Sequence, residues 1–563
     1  MNLFFKAIEK VPQFKDISDA VRRGEYPVSV SGISAIHKAQ LAMSLYNDAD
    51  REPVLIIAED EAAARRFADD INGMCTAEYA CVYPAKDFTL AETDSVSREY
   101  EHMRLGVLTK ILNKECRYVC ASAEAVMQAT IPPDVLSENT VILEQGGEVD
   151  TRELAEKLIA AGYTRCDAVE GQSQFSIRGA IADIFPVQSK YPVRLELWGD
   201  EIDSLSYFDI ETQRRTEPVD IIEIPPALET LFRSDDDFIE KISALSSKVR
   251  GKKTELVRQN LAKDIDRING GLPVGALDKY ISIAYEKPAH IFDYIKGIVV
   301  ISEYHNIIDR AKGVFAQYTE DVKILLEEGM LCRGLDGYMM DISETMSMAA
   351  ENPTIYADTF LRSSDVKFKK LTTINAYQTA PWGGEMRQLD EDLKSLTDRK
   401  YSVIVMAGSE KTLPIIAEDL REYGISCAIA DDASELTPGF VLLMTGSVSS
   451  GYDYPDSKTA LITQSKAMTA KRRLAKKDKG KEIRSLSEIS DGDLVVHALY
   501  GIGRFTGISK IETDGVTKDY ITIKYAGTDV LYVPVTQLDL VSRYIGPRDD
   551  TGVKLNKLSS TEW

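Results

Sequence analysis

From Val28 to about Thr130 the apolar positions fall in short runs, "PVLIIAED" and "RYVCAS" among them, each followed by helical spacing such as "EAAARRFADDI" or "AEAVMQAT". Strands alternating with helices predict a parallel sheet covered on both faces. From Gly162 the texture changes to period-two alternation. In "VRLELW", Val193, Leu195 and Leu197 share one face and Arg194, Glu196 and Trp198 the other, which predicts a half-buried antiparallel strand. "GDE" then turns the chain into "IDSLSYFDI". A proline pair in "IEIPPALE" closes the strand-rich part, and Leu231 to Arg267 reads as helical and charged. A strongly apolar strand returns at "GIVVISEYHN", Gly297 to Asn306. A second α/β unit starts near Tyr401 and runs through "FVLLMTGSVSSG" to "TALITQS"; with no chemistry of its own, it reads as a spacer. Asp491 to Tyr544 alternates short strands with turn signals, including the Asp514–Gly515 pair, and about fifty residues of that kind predict a small β barrel.

A length of 563 residues allows roughly four domains. Charge sharpens one place. The chain is acidic overall, with a net of −22, yet Lys466 to Arg484 holds nine basic and two acidic residues, a local +7. Such a run suits a solvated linker helix or a phosphate-contacting segment. The seven cysteines are scattered and odd in number, which suggests neither a disulfide framework nor a paired zinc site. Cys116 and Cys120 read as core positions of a strand. No stretch reaches the roughly 18 apolar residues of a membrane span, so a reducing, cytosolic setting is expected.

Two stretches look like halves of a nucleotide site that have lost their chemistry. A phosphate loop, G-x-x-x-x-G-K-[ST], uses glycine backbone N–H groups, a lysine and a magnesium-binding hydroxyl. "GISAIHKA", Gly32 to Ala39, keeps Gly32 and Lys38 but has His37 for the second glycine and Ala39 for the hydroxyl. A β-carbon at His37 disfavours the close-approach backbone that glycine permits, and Ala39 cannot ligate a metal. The partner motif, an apolar strand ending in Asp-Glu-x-His, has Ser302 where aspartate would stand, followed by Glu303 and His305. Taken singly, "GISAIHKA" reads first as an ordinary strand-to-helix turn. Together the two losses predict a nucleotide fold without ATP hydrolysis, and no cofactor for this chain.

The order of these parts resembles the bacterial transcription-repair coupling factor (Mfd) family. "RGAIADIFPVQSKYPVRLELWGDEIDSLSYFD", Arg178 to Asp209, is similar to the pattern shared with UvrB. "GGLPVGALDKY" and "IVVISEYH" fall where that family returns to its first domain, and "DLVVHALYGIGRFTGI" through "VLYVPVTQLDLVSRY" resembles its RNA-polymerase-interacting domain and CarD-type regulators. The ending "LNKLSSTEW" looks like the junction before the family's motor, so the resemblance is to the N-terminal half, with the ATP- and magnesium-dependent motor expected to be absent.

The resemblance implies a multidomain α/β fold. A degenerate RecA/helicase-like parallel-sheet domain would occupy 1–131 and 225–345, interrupted by an inserted α+β domain at 132–224. A second α/β domain would follow at 346–465, a basic linker at 466–488, a small SH3/Tudor-like β barrel at 489–547, and the start of the linker to the missing motor at 548–563. The insert would bind UvrA through Arg178 and Phe185, with Arg165 a further candidate; Arg offers bidentate contacts, and aromatics and Arg are frequent hot spots. Phe185, before a proline at a strand end, equally suits a core, and Arg178 equally suits an ion pair with Asp183. The barrel would bind the β subunit of RNA polymerase by strand addition at an exposed edge, near His497, Ala498, Leu499, Ile502 and Arg504; Leu499 and Ile502 also suit the barrel core. Upstream DNA is a candidate partner of the basic linker. A monomer in the bacterial cytoplasm, associated with the nucleoid, is expected, with no membrane partner. The alternatives are an active UvrB-type damage-verification ATPase and a CarD-like transcription regulator. UvrB needs an aromatic-rich hairpin, and "VYPAKDFTLAETDSVSREYEHMRLG" offers only Tyr83, Phe88 and Tyr100 among its larger rings.

Overall fold

Short apolar runs near the start of the chain pair with runs more than two hundred residues later. The computed structural model describes residues 3–464, 480–482, 492–497, 501–513, 516–526, 530–534 and 541–544, apart from 48, 50, 76, 87–97, 273, 275 and 432. They fall into two units, Met1–Lys466 and Ala467–Trp563.

The first unit is built on a seven-stranded sheet in the spatial order Lys370–Thr373, Val28–Ser31, Thr354–Asp358, Val299–Ser302, Val54–Ala58, Tyr118–Ser122, Ala80–Tyr83. Every ladder in it is parallel. Alternate side chains of each strand feed two apolar layers. Leu55, Ile57, Val119, Ala121, Val299 and Ile301 enter one; Val54, Ile56, Tyr118, Cys120 and Val300 enter the other. A sheet buried on both faces needs such near-continuous apolar strands. Cys120 lies within its strand and Cys116 is buried just ahead of it.

Between the strands Tyr118–Ser122 and Val299–Ser302 the chain leaves and returns through an antiparallel pair, Val141–Glu144 with Ile221–Ile224. The residues between them form a six-stranded sheet ordered Arg215–Pro218, Glu201–Phe208, Val193–Trp198, Ile181–Ile184, Gln174–Arg178, Thr164–Arg165. Its inner face buries Phe175, Ala182, Ile184, Val193, Leu195 and Leu197 with Leu154 and Leu158 of the helix Thr151–Ala160. Asp150 caps that helix by accepting from the N–H groups of Arg152 and Glu153. The helices Asp235–Lys248 and Thr254–Asn269 follow.

Two expectations are corrected here. Strands Thr354–Asp358 and Lys370–Thr373 belong to the first sheet, so a boundary at 346 cuts through it; hydropathy alone does not say which sheet a late strand joins. The unit beyond is also no spacer. Its own sheet, ordered Tyr377–Thr379, Gly451–Tyr454, Thr459–Thr463, Ser402–Ala407, Phe440–Thr445, Cys427–Ile429, places Met406, Leu442, Tyr452 and Tyr454 in the same apolar layer as Phe14, Ile36, Met43 and Phe67. A shared core of that kind binds two sheets into one body.

The described residues of the second unit form six antiparallel strands in the order Gly480–Glu482, Val541–Tyr544, Leu494–His497, Gly501–Thr513, Val516–Lys524, Val530–Pro534. Val495, Phe505, Ile521, Ile523, Tyr525 and Val533 form its core. Thr513 pairs with Val516, the two-residue connection that a DG turn requires. Among the described residues no ladder joins the first strand in this order to the last.

Candidate functional site

The carboxyl ends of three neighbouring strands, at Ser31, Ser302 and Asp358, meet the start of the helix Ala35–Leu45. In a sheet of this topology ligands bind at such a crevice. Here it is filled from within. Lys38, 3% exposed, donates to the Glu303 carboxylate at 2.5 Å and to Ser302 Oγ at 3.3 Å. Glu303 stands in left-handed backbone, φ 61°, and also accepts from the Thr359 N–H at 2.9 Å and Thr359 Oγ1 at 2.5 Å. Burial alone would raise the Glu303 carboxyl, but Lys38 beside it and the two Thr359 donors hold it below the ordinary value.

The remaining loop residues are accounted for by packing. Gly32 has φ +84°, and a Cβ there would lie 2.3 Å from the Ile374 carbonyl oxygen, so glycine is required by a neighbouring strand end. His37 is fully buried, its ring edge-on to Tyr454 at 5.1 Å. Its Nδ1 accepts from the Ser34 N–H at 3.2 Å, and burial pushes its pKa down to about 4, so the ring is neutral at pH 7. Ala39 is core. His305, one residue into the helix Tyr304–Glu328, lies against the Tyr304 ring at 5.5 Å. The structure thus brings Lys38, Ser302 and Glu303 together, with Thr359 as a partner that no motif marked.

On the insert, strand register puts Ser176, Arg178, Asp183, Arg194, Glu196 and Trp198 on the outer face. Asp183 is buried and shared: Arg178 donates at 2.8 Å, while Arg194 donates twice, at 2.6 and 2.9 Å. The Arg178 side chain stays 53% exposed and Trp198, before the Gly199–Asp200 turn, is 82% exposed. Arg215 pairs with Glu196 on the same face. Phe185 is only 7% exposed, clustered with Val169 and Phe208; it is a core residue of this face. Arg165 pairs in register with Phe175, whose side chain is inward, so Arg165 and Arg178 belong to opposite faces. Trp198 was readable only as the polar-side end of an alternating strand; its exposure comes from the turn that follows.

In the second unit, His497 and Ile502 lie on strands Leu494–His497 and Gly501–Thr513, and Ala498 and Leu499 lie outside the described residues. Arg504 donates to the Gly492 carbonyl at 2.6 Å. His497 is paired on both sides, to Gly501 and to Val541, and Ile502 pairs with Val496. Among the described strands the edges are Gly480–Glu482 and Val530–Pro534.

The insert and the terminal sheet define a class. Residues 141–229 match the UvrB interaction domain and residues 489–545 the CarD-like/TRCF RID domain. The chain is 30% identical over 99% of its length to the transcription-repair-coupling factor of Bacillus subtilis (strain 168), covering 48% of that protein. With that of Staphylococcus haemolyticus (strain JCSC1435) it shares 25% identity, again over 99% of this chain and 48% of the relative. The chain is thus similar along its whole length to transcription-repair-coupling factors and spans about half the length of the curated relatives it matches. A solved DEAD box protein from Methanococcus jannaschii is 8% identical, over 82% of this chain and 88% of that one, with a TM-score of 0.21, too low to relate the two folds.

Proposed function

We propose that this chain is an adaptor for transcription-coupled repair, recruiting UvrA through the outer face of the insert and holding the β subunit of RNA polymerase through the terminal sheet. The observation that carries it is the match, in one chain, to a UvrB interaction domain and a CarD-like/TRCF RID domain; the Lys38–Glu303 ion pair at the parallel-sheet crevice supports a role without nucleotide. On the insert, Arg178 and Trp198 are the exposed contacts, with Arg194 held behind Arg178 by Asp183. On the terminal sheet, the edge Val530–Pro534, with Tyr532 half exposed, offers main-chain groups for strand addition. Neither role needs ATP.

The test is separate binding of UvrA and of RNA polymerase, both without nucleotide. Arg178→Glu should remove UvrA binding and spare the polymerase; Tyr532→Glu should do the reverse. An ATP turnover that requires Lys38 would favour the UvrB-type reading and sink this one.

A further inference from the structure

The occupant of the crevice matters more than the absence of its motif residues. A bound phosphate at a phosphate loop is an anion held by a lysine, by N–H and O–H donors and by the start of a helix. The Glu303 carboxylate has that set of partners: the Lys38 ammonium, the Thr359 hydroxyl and the Thr359 N–H, at the carboxyl ends of the strands. Lys38 reaches it from the first turn of the eleven-residue helix Ala35–Leu45. The left-handed backbone at Glu303 turns its side chain into the crevice, at a strain cost that non-glycine residues bear only where the surroundings fix it.

We infer that Glu303 is a built-in anion, occupying the seat of a nucleotide's phosphate, and that the loop takes inorganic phosphate or pyrophosphate only when this carboxylate is removed. The three strand ends are then held together permanently, with no ligand to release. Such a device suits a domain that must stay closed while its neighbours bind partners. The inference concerns only the crevice and is independent of the UvrA and polymerase assignments.

The probe is inorganic pyrophosphate at low ionic strength, read as the melting temperature of the full chain. Wild type should show no shift. Glu303→Gln keeps an acceptor for Thr359 but frees Lys38, and a rise of roughly 3 °C is expected at about a hundredfold excess over Kd. The double variant Lys38→Ala/Glu303→Gln should again show none. Wild type rising as much as Glu303→Gln, a folded Glu303→Gln indifferent to pyrophosphate, or a shift that survives loss of Lys38 would each overturn the inference. Should Glu303→Gln fail to fold, Lys38→Ala reads the same seat from the other side. Methylammonium should then raise its melting temperature by more than that of wild type, and no such rescue would refute a carboxylate seated for a cation.

Discussion

Substituting Glu229 by Gln should cost the first unit about 3 kcal/mol. Glu229 is fully buried just after the insert returns. It accepts from Arg104 Nε at 2.7 Å and Thr130 Oγ1 at 2.6 Å, with Lys86 Nζ at 2.8 Å. Arg104, on the helix Glu99–Leu112, is itself fully buried and also donates to the Pro84 and Ala129 carbonyls and to Gln128. Gln keeps the shape and removes the charge. Breaking a buried pair costs roughly 3–5 kcal/mol because one ion stays buried without its partner. Lys86 keeps Asp278 at 2.9 Å and Glu101 at 3.4 Å, so only Arg104 is stranded, which favours the lower end. A unit ending at Lys466 unfolds with an entropy on the order of 1 kcal/mol/K, and the melting temperature should fall by roughly 3 °C. Acid gives an independent check. Burial would raise the Glu229 carboxyl, yet Arg104 and Lys86 carry it down from 4.5 to about 2. A depressed folded-state pKa stabilises fully above the unfolded value and is lost as pH falls through the folded one. Wild type should therefore lose stability between pH 4.5 and 2 more steeply than Glu229→Gln. A loss under about 1 kcal/mol, or equal acid slopes, would refute the reasoning.

Other substitutions separate packing from recognition. Phe185→Ala should destabilise the insert by about 3 kcal/mol, seen in denaturant midpoints, while UvrA affinity of the folded fraction changes little; a selective loss of affinity would return Phe185 to the contact surface. Asp183→Ala leaves Arg194 without its two charge-assisted bonds and should cost about 2 kcal/mol. Arg178→Ala, half exposed, should cost under about 1 kcal/mol; equal losses would mean the two arginines are not distinguished by burial. Gly32→Ala adds a Cβ 2.3 Å from the Ile374 carbonyl in positive-φ backbone, and should lower the melting temperature without altering nucleotide response; a stable variant would show that glycine is dispensable there.

How much was legible depended on whether a signal was local. Alternation in "VRLELW" is a property of one strand, and Val193, Leu195 and Leu197 are buried as read. The parallel sheet followed from strand–helix alternation, but which late strands joined it did not. Thr354–Asp358 inserts between Val28–Ser31 and Val299–Ser302, a choice made by tertiary packing. The pairing of Lys38 with Glu303 was legible as two damaged motifs; Thr359 was not, because a threonine after a strand has no signature until that strand is placed. The strand order of the terminal sheet was not legible for a similar reason. Glycines at 501 and 503 suggest close backbone approach, yet only the strand order shows that the strand carrying them lies inside the sheet.

The crevice and the second α/β sheet explain each other. A working nucleotide site needs an opening for ligand exchange, so a motor keeps its phosphate loop solvated between bodies that move. Here His37 presents a neutral ring to Tyr454, and Gln40 on the same helix accepts from the Tyr454 hydroxyl at 2.6 Å. Asp70 accepts from the Ser449 N–H and hydroxyl, both at 2.6 Å, on an adjoining helix. These contacts seal one side of the helix that carries Lys38, while Glu303 neutralises the other. The His37 ring supplies part of the surface against which the second sheet packs. Restoring the loop glycine alone would open a cavity beside Tyr454 while leaving Lys38 paired to Glu303. His37→Gly should therefore destabilise by about 3 kcal/mol and still bind no nucleotide, measured by melting with and without ATP. Nucleotide-dependent stabilisation of that single variant would show that the carboxylate is not the occupant that closes the site.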